Sequence, residues 1–335
     1  MFSIKRAAHT AIAILSASVA VCASAQTPAA EPAKCIMQNF ASLALHDDGL
    51  NVSADGSING DKAAMLIDSG APNTMVTRTE AVKLGLGLTQ PAPSGKGGKP
   101  AEDYRVPLSE FAVGSIEMGS TRILASQRLS DYPDFGALIG ADFLMQHDME
   151  LSLATRQLKF FNPVGCDKSL IAYWDSNAAM VPLAAMSATD RRPVVTVEID
   201  GQTLRALVDS GTPISVVSLS AAARTGVTPK SHGVTPMKAT APGARPTSWV
   251  APFRRFSIGG EEVKNLKLPI LDLKNVINAE PGTAVPDMIL GQDFLRAHHV
   301  LFASSQQSFY FSYVGGSVFN MDLMAPAPAA APAKP

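Results

Sequence analysis

The sequence predicts an all-β chain built twice, as two similar lobes with only short helices. Three observations carry this. One stretch occurs in two copies at matched positions. Short apolar runs are punctuated at regular intervals by Gly, Asp and Asn turn signals. Long helical periodicity is absent outside the first 25 residues, which leaves strands as the building unit.

The repeated stretch is the centre of the chain. Its first copy reads Met65-Leu66-Ile67-Asp68-Ser69-Gly70-Ala71, and its second Ala206-Leu207-Val208-Asp209-Ser210-Gly211-Thr212. An apolar run cut off by a turn triplet reads as a buried strand that opens into a tight turn. A lone Asp-Ser-Gly is usually an ordinary surface turn. Here the flanks also agree: Ile58 matches Ile199, Gly60 matches Gly201 and Val76 matches Val217, all at the offset of Asp68 to Asp209. Two short helical patterns, Arg78 to Leu84 and Leu219 to Thr225, close at Gly85 and Gly226. Self-similarity at a fixed offset indicates duplication. Further on, Leu138-Ile139-Gly140-Ala141-Asp142-Phe143-Leu144 is matched by Ile289-Leu290-Gly291-Gln292-Asp293-Phe294-Leu295. Between these landmarks Phe111 to Gly114 aligns with Phe256 to Gly259, and Tyr104 with Trp249.

The doubled combination of apolar-apolar-Asp-Ser-Gly and apolar-apolar-Gly-x-Asp resembles the pepsin/retropepsin superfamily of aspartic proteases. It resembles a bacterial-type, internally duplicated single chain. Asp-Ser-Gly in place of Asp-Thr-Gly, together with short lobes, puts it nearer the retropepsins. The resemblance implies two retropepsin-like β-barrel lobes that bring both Asp-Ser-Gly loops to the floor of a shared cleft.

Taken in order, residues 1–25 read as a secretory signal. Lys5 and Arg6 form a charged start, Ala11 to Cys22 is apolar, and Ala23-Ser24-Ala25 fits a cleavage site before Gln26. A lipoprotein reading through Cys22 is poorer, because Val21 is bulky where a small residue is expected. The apolar core is too short to span a membrane. Residues 26–34 form a Pro/Ala linker. The first lobe is expected over 35–167. In it Asp47-Asp48-Gly49, Ala54-Asp55-Gly56 and Asn59-Gly60 serve as hairpin signals, and 149–161 forms a closing hairpin. Pro91 to Pro100, with Gly97 and Gly98, occupies the place of the family's flap, where flexible glycine suits a moving lid. Its glycines do not form a phosphate loop, because no Lys-Ser/Thr follows them into a helix. Residues 168–180 link the lobes. The second lobe repeats the plan over 181–320, with a second flap candidate around Gly243 and a closing hairpin from Val300 to Phe311. Residues 321–335 are a disordered Pro/Ala tail.

Composition agrees with a packed, exported protein. Hydrophobic residues make up 46% and charged residues 17% of 335, as expected of a globular chain. The formal net charge is −1; without Lys5 and Arg6 it is −3. No basic stripe supports a nucleic-acid partner. Cleavage of the signal leaves Cys35 and Cys166 just outside the two ends of the first repeat, and an oxidising compartment favours a disulfide between them over two free thiols.

The chemistry implied by the resemblance is hydrolysis by paired carboxyls. Two carboxyls about 3 Å apart share one proton, so one serves as base and the other as acid. Asp68 and Asp209 take these roles, with no metal, cofactor or covalent nucleophile. Gly70 and Gly211 let backbone N–H groups approach the carboxylates, and Ser69 and Ser210 hydrogen-bond across the lobes. Ala71 and Thr212 differ: only the threonine can donate to its neighbouring carboxylate, which assigns more of the shared negative charge to Asp209. Asp142 and Asp293 are read as structural acceptors that pin the Gly turn. Tyr104 and Trp249 are read either as core packing or as a wall of the substrate cleft. His147, His298 and His299 lack zinc-like spacing. The expected function is an aspartic endopeptidase acting on peptides as a monomer, exported to the periplasm or secreted. The alternatives are a non-catalytic peptide-binding module on a protease-like scaffold and, on composition alone, an interaction protein tethered by its Pro/Ala tail.

Overall fold

The computed structural model describes residues 34–88, 103–127, 134–167, 169–237, 247–277 and 284–319. The duplication is visible strand by strand. Val52–Ile58, Asp61–Ile67 and Met75–Thr77 lead into the helix Arg78–Lys83. Pro193–Ile199, Gln202–Val208 and Val216–Ser218 lead into Leu219–Arg224. Both helices begin on a side-chain cap: Thr77 accepts from the Glu80 N–H and Ser218 from the Ala221 N–H. Both stop at a glycine in the left-handed region, Gly85 and Gly226, where a Cβ would be strained.

In the second half six strands close into a barrel. The long hairpin Ser248–Ile258 and Glu261–Leu271 completes the ring by pairing Ile199 with Phe256. In the first half the matching pair is Ile58 with Phe111. Its hairpin is broken into the shorter strands Asp103–Leu108, Phe111–Val113, Ile116–Met118 and Thr121–Ser126. In each half the strand before Asp-Ser-Gly runs parallel to the strand of the Gly-x-Asp motif: Met65–Ile67 beside Ala137–Ile139, and Ala206–Val208 beside Met288–Leu290. Strands covered on both faces need continuous apolar runs, which is what these segments have. The parallel pairing delivers both motifs to the same end of the lobe, where the Asp68 N–H donates to the Ile139 carbonyl and the Asp209 N–H to that of Leu290.

One turn expectation fails. Ala54-Asp55-Gly56 is not a hairpin turn but lies inside the strand Val52–Ile58. Gly56 pairs with Ala63 on one side and Val113 on the other. A Cβ there would sit 2.4 Å from the Ala112 carbonyl oxygen and 2.5 Å from the Met65 sulfur. The glycine therefore marks a close approach of backbones within a strand.

The halves are joined by an antiparallel six-stranded sheet, in the order Ala179–Pro182, Ser308–Tyr313, His298–Ala303, Asp148–Ser152, Gln157–Val164 and Ile36–Asp47. Its seam pairs the closing hairpins of the two halves, with Leu151 opposite Val300. One hydrophobic core runs through both halves and includes Phe111 and Phe160 from the first and Phe256, Phe294 and Phe311 from the second.

Cys35 and Cys166 form a disulfide spanning 131 residues of sequence, beside the terminal strand pair Ile36 and Val164. By chain-entropy arithmetic, closing so long a loop stabilises the fold by about 4–5 kcal/mol. A Cys35→Ser, Cys166→Ser chain is expected to unfold at correspondingly lower denaturant. An unchanged midpoint would mean that the strand pairing alone holds this edge.

Candidate active site

The two Asp-Ser-Gly loops meet at the junction of the halves and hold each other by a reciprocal exchange. The Ser69 N–H donates to Ser210 Oγ and the Ser210 N–H to Ser69 Oγ, both at 3.0 Å. Ser69 Oγ donates to the Val208 carbonyl and Ser210 Oγ to the Ile67 carbonyl, both at 2.8 Å. Both serines are buried. Each hydroxyl thus donates once and accepts once across the junction, and all four buried groups are satisfied. This fixes the separation and tilt of the two loops together.

The aspartates sit above this grip. The Gly70 and Ala71 N–H groups donate to Asp68 Oδ1 at 2.9 Å. On the other side the Gly211 N–H donates to Asp209 Oδ1 at 2.8 Å, and Thr212 Oγ1 donates to Asp209 Oδ2 at 2.7 Å. The glycines have a role beyond flexible turning. A Cβ on Gly70 would lie 2.2 Å from Asp209 Cγ, and one on Gly211 would lie 2.3 Å from Asp68 Cγ. Each glycine is small because the other half's carboxyl occupies the space beside it.

The two carboxyls face each other across the junction, each lying against the other half's loop glycine. Burial, then the charge of Asp209, push the Asp68 carboxyl well above the usual carboxylate range, against the opposing pull of the Ala71 and Gly70 N–H groups. Two carboxylates this close repel, which disfavours ionisation of both at once. Asp68 thus accepts from two backbone N–H groups, and Asp209 from one backbone N–H and the Thr212 hydroxyl.

Asp142 and Asp293 stand behind the loops. Asp142 Oδ1 accepts from the Thr74 N–H at 2.7 Å and from Thr74 Oγ1 at 2.6 Å, while Thr74 Oγ1 accepts from the Gly140 N–H. Asp293 Oδ1 accepts from the Ser215 N–H at 2.9 Å and from Ser215 Oγ at 2.6 Å, while Ser215 Oγ accepts from the Gly291 N–H. Burial raises the Asp293 carboxyl above its ordinary range despite these donors. Each carboxyl ties its glycine turn to the segment that follows the matching Asp-Ser-Gly.

Tyr104 and Trp249 occupy equivalent strand positions, opposite Ala125 and Ile270, and both pack against the main core. The Arg78 guanidinium lies 5.4 Å from the Tyr104 ring centroid. Gly97, Gly98 and Gly243 fall outside the described residues. His147, His298 and His299 make separate contacts. His298 is buried between the Phe294 carbonyl and Glu261, His299 stacks on Trp174, and His147 contacts Asn162.

Two supports have no counterpart in the motif reading. Arg192 is 2% exposed and forms a two-point ion pair with Asp190, with Nη2 to Oδ2 at 2.6 Å and Nε to both oxygens at 3.0 Å. Its Nη1 reaches the Gly70 carbonyl at 3.4 Å. Gln292 Nε2 donates to the Ser210 carbonyl at 2.7 Å, and its Oε1 accepts from Arg296, which also pairs with Asp47 of the other half. Burial opposes ionisation of Asp47, yet the Arg296 and Gly49 donors hold its carboxyl below the usual range. The repeats do carry a signal here. Asn51 stands where the second copy has Arg192, and Ala141 where it has Gln292.

The aspartyl protease family matches residues 54–143 and 195–294, one segment in each half. No curated protein sequence matches significantly. Among solved structures, the crystal structure of the aspartic proteinase from Irpex lacteus covers 82% of this chain and 97% of its own, at 12% identity and a TM-score of 0.46. No helix among the described residues is long and apolar enough to cross a membrane.

Proposed function

The chain belongs to the aspartyl protease family, and from that premise we propose that it is an aspartic endopeptidase using an Asp68/Asp209 dyad. The observation that supports this is the placement of Asp68 and Asp209, each against the other half's loop glycine, with the two loops held by the reciprocal serine exchange. Asp209, supported by Thr212, is the base that takes a proton from water. Asp68 carries the shared proton and hydrogen-bonds the scissile carbonyl as the water attacks. As the tetrahedral intermediate collapses, a proton passes to the leaving nitrogen and the carboxyls exchange roles. Ser69, Gly70, Ala71, Ser210 and Gly211 set the geometry of the pair. Tyr104 and Trp249 are proposed cleft walls, and the lobe limits 35–167 and 181–320 belong to the same reading. We further propose an exported, monomeric protein. The disulfide is compatible with an oxidising compartment, and one chain already holds both carboxyls.

The test is an unbiased peptide mixture incubated with the chain from Gln26 onward, from acid to neutral pH, with and without a transition-state-mimicking aspartic-protease inhibitor. Cleavage that the inhibitor blocks supports the proposal. Peptide capture without cleavage by the folded chain would replace it with a binding module.

The same reading sets a pH signature. The pair works with one proton, so its rate falls at low pH when a second proton binds and at high pH when the shared one leaves. Because the Asp68 carboxyl is raised, the shared proton is kept to higher pH than an isolated carboxyl would keep it. Thr212→Ala deletes a donor to the charged form. Its acidic limb is expected to move to higher pH, read from kcat/KM profiles of the two chains. An unmoved acidic limb would remove Thr212 from the mechanism.

A further inference from the structure

Gln292 is buried at the start of the helix Gln292–Ala297, and all of its side-chain polar groups are engaged. Nε2 donates to the Ser210 carbonyl at 2.7 Å and to the Leu50 carbonyl at 3.3 Å, while Oε1 accepts from Arg296 Nη2 at 2.7 Å. These partners fix which way the amide points, since a guanidinium offers only donors and a carbonyl only acceptors. The Ser210 carbonyl and the Gly211 N–H are the two ends of one peptide unit, and that N–H donates to Asp209 Oδ1 at 2.8 Å. The Arg296, Gln292 and Gly211 N–H groups therefore form a chain of donors that all point toward Asp209. A cation stands at its head, and aligned hydrogen bonds polarise one another.

The cation is anchored across the junction. Asp47, at the end of the strand Ile36–Asp47, accepts from Arg296 Nη2 at 2.8 Å and from Nε at 3.2 Å. Asp48 and Asp293 also feel the Arg296 charge, and Arg156 faces Asp47. The first half lacks this chain, because Ala141 stands where the second has Gln292 and Met145 where it has Arg296. A guanidinium does stand behind Asp68: Arg192 Nη1 faces the Gly70 carbonyl, whose peptide carries the Ala71 N–H that donates to Asp68. That contact is 3.4 Å long, against 2.7 Å at both links behind Asp209, and Arg192 is turned to its two-point pair with Asp190. The two carboxyls thus receive unequal support from behind.

We propose that Gln292 and Arg296 are positioning residues that act on Asp209 through the Ser210–Gly211 peptide, making its N–H a stronger donor and so favouring the negative charge of the pair on that side. The proposal rests on the reading of Asp68 and Asp209 as a proton-sharing dyad. It gives Asp47 the opposite sense, because its carboxylate partly neutralises the cation at the head of the chain.

The test follows the dyad by its own carboxyl signals, so it reads whether or not the chain cuts peptides. The chain from Gln26 onward is labelled with carbon-13 at the aspartate carboxyls, and the dyad signals are identified by their loss in Asp68→Asn and Asp209→Asn. The lower apparent pKa of the pair is then measured beside the thermal midpoint. Arg296→Met and Gln292→Met keep side-chain bulk without the donors, and each is expected to raise that pKa by about half a pH unit, the size of one lost hydrogen bond. Asp47→Asn should lower it, although it too weakens a contact between the halves. Adding Arg296→Met to the Gln292→Met chain should shift it little further. Gln292→Ala, which installs the residue of the first half, takes the place of Gln292→Met if that chain does not fold. In an active chain the acidic limb of kcat/KM should move with the titration. A lower thermal midpoint with an unmoved titration would reduce the relay to a structural brace. Additive shifts would make Arg296 a bare charge acting through space. Either result overturns the proposal. Two carboxyls that titrate independently would instead end the dyad reading, and the shifts would then be read on Asp209 alone.

Discussion

The Asp68→Asn chain should fold as the parent does and cleave peptides about 10²–10⁴-fold more slowly, the range expected when a positioned proton donor is lost. Asparagine has nearly the same shape. Its side-chain oxygen can still accept the Gly70 and Ala71 N–H groups, and its amide can still donate to Asp209. The serine exchange below uses none of the changed atoms. What the amide cannot do is release the proton that the leaving nitrogen needs. Because burial and Asp209 already favour the neutral form of Asp68, a neutral substitute should cost little stability. The measurement is kcat/KM on one cleaved peptide, beside the urea midpoint and the intact mass. A folded variant of full activity would end the dyad mechanism. A variant that does not fold would make Asp68 a structural residue first.

Asp190→Ala should lower the unfolding free energy by about 3–5 kcal/mol, because it removes the carboxylate paired with a buried cation. Arg192 is among the largest fully buried side chains, and Asp190 holds it through three short contacts. The Gly70 carbonyl, 3.4 Å from Nη1, is neutral and does not replace the carboxylate's charge. Removing both charges, in Asp190→Ala with Arg192→Leu, should recover most of the loss, since an apolar pair avoids the desolvation penalty. Chemical denaturation of the two variants separates these outcomes. A cost below about 1 kcal/mol for the single variant would place the pair with exposed ion pairs. Activity is expected to fall in the double variant, since the Gly70 carbonyl of the first loop loses its guanidinium donor.

Some elements were legible because the chemistry is local. The strand–turn at Asp68 is written in an apolar run, a carboxylate, a hydroxyl and a glycine, and the second copy at Asp209 repeats it. The short helices carry their caps and stop signals with them. Gly56 misled because Asp-Gly has the same composition in a turn as at a point of close backbone approach. What separates the two is the second strand at Ala112 and Val113, which lies far along the chain.

The duplicated motifs determined the two-fold plan and singled out the two aspartates; turn-punctuated short apolar runs determined the all-β class, and the count of cysteines left after the signal determined the cysteine pair. Each of these depends on residue type and on spacing along the chain. Only the tertiary structure decided that the closing hairpins pair with each other across the seam, that each glycine yields its space to the opposite carboxyl, and that Arg192 and Gln292 brace the two loops. Those relations join residues from different halves, and their partners are chosen by register and packing rather than by any local pattern.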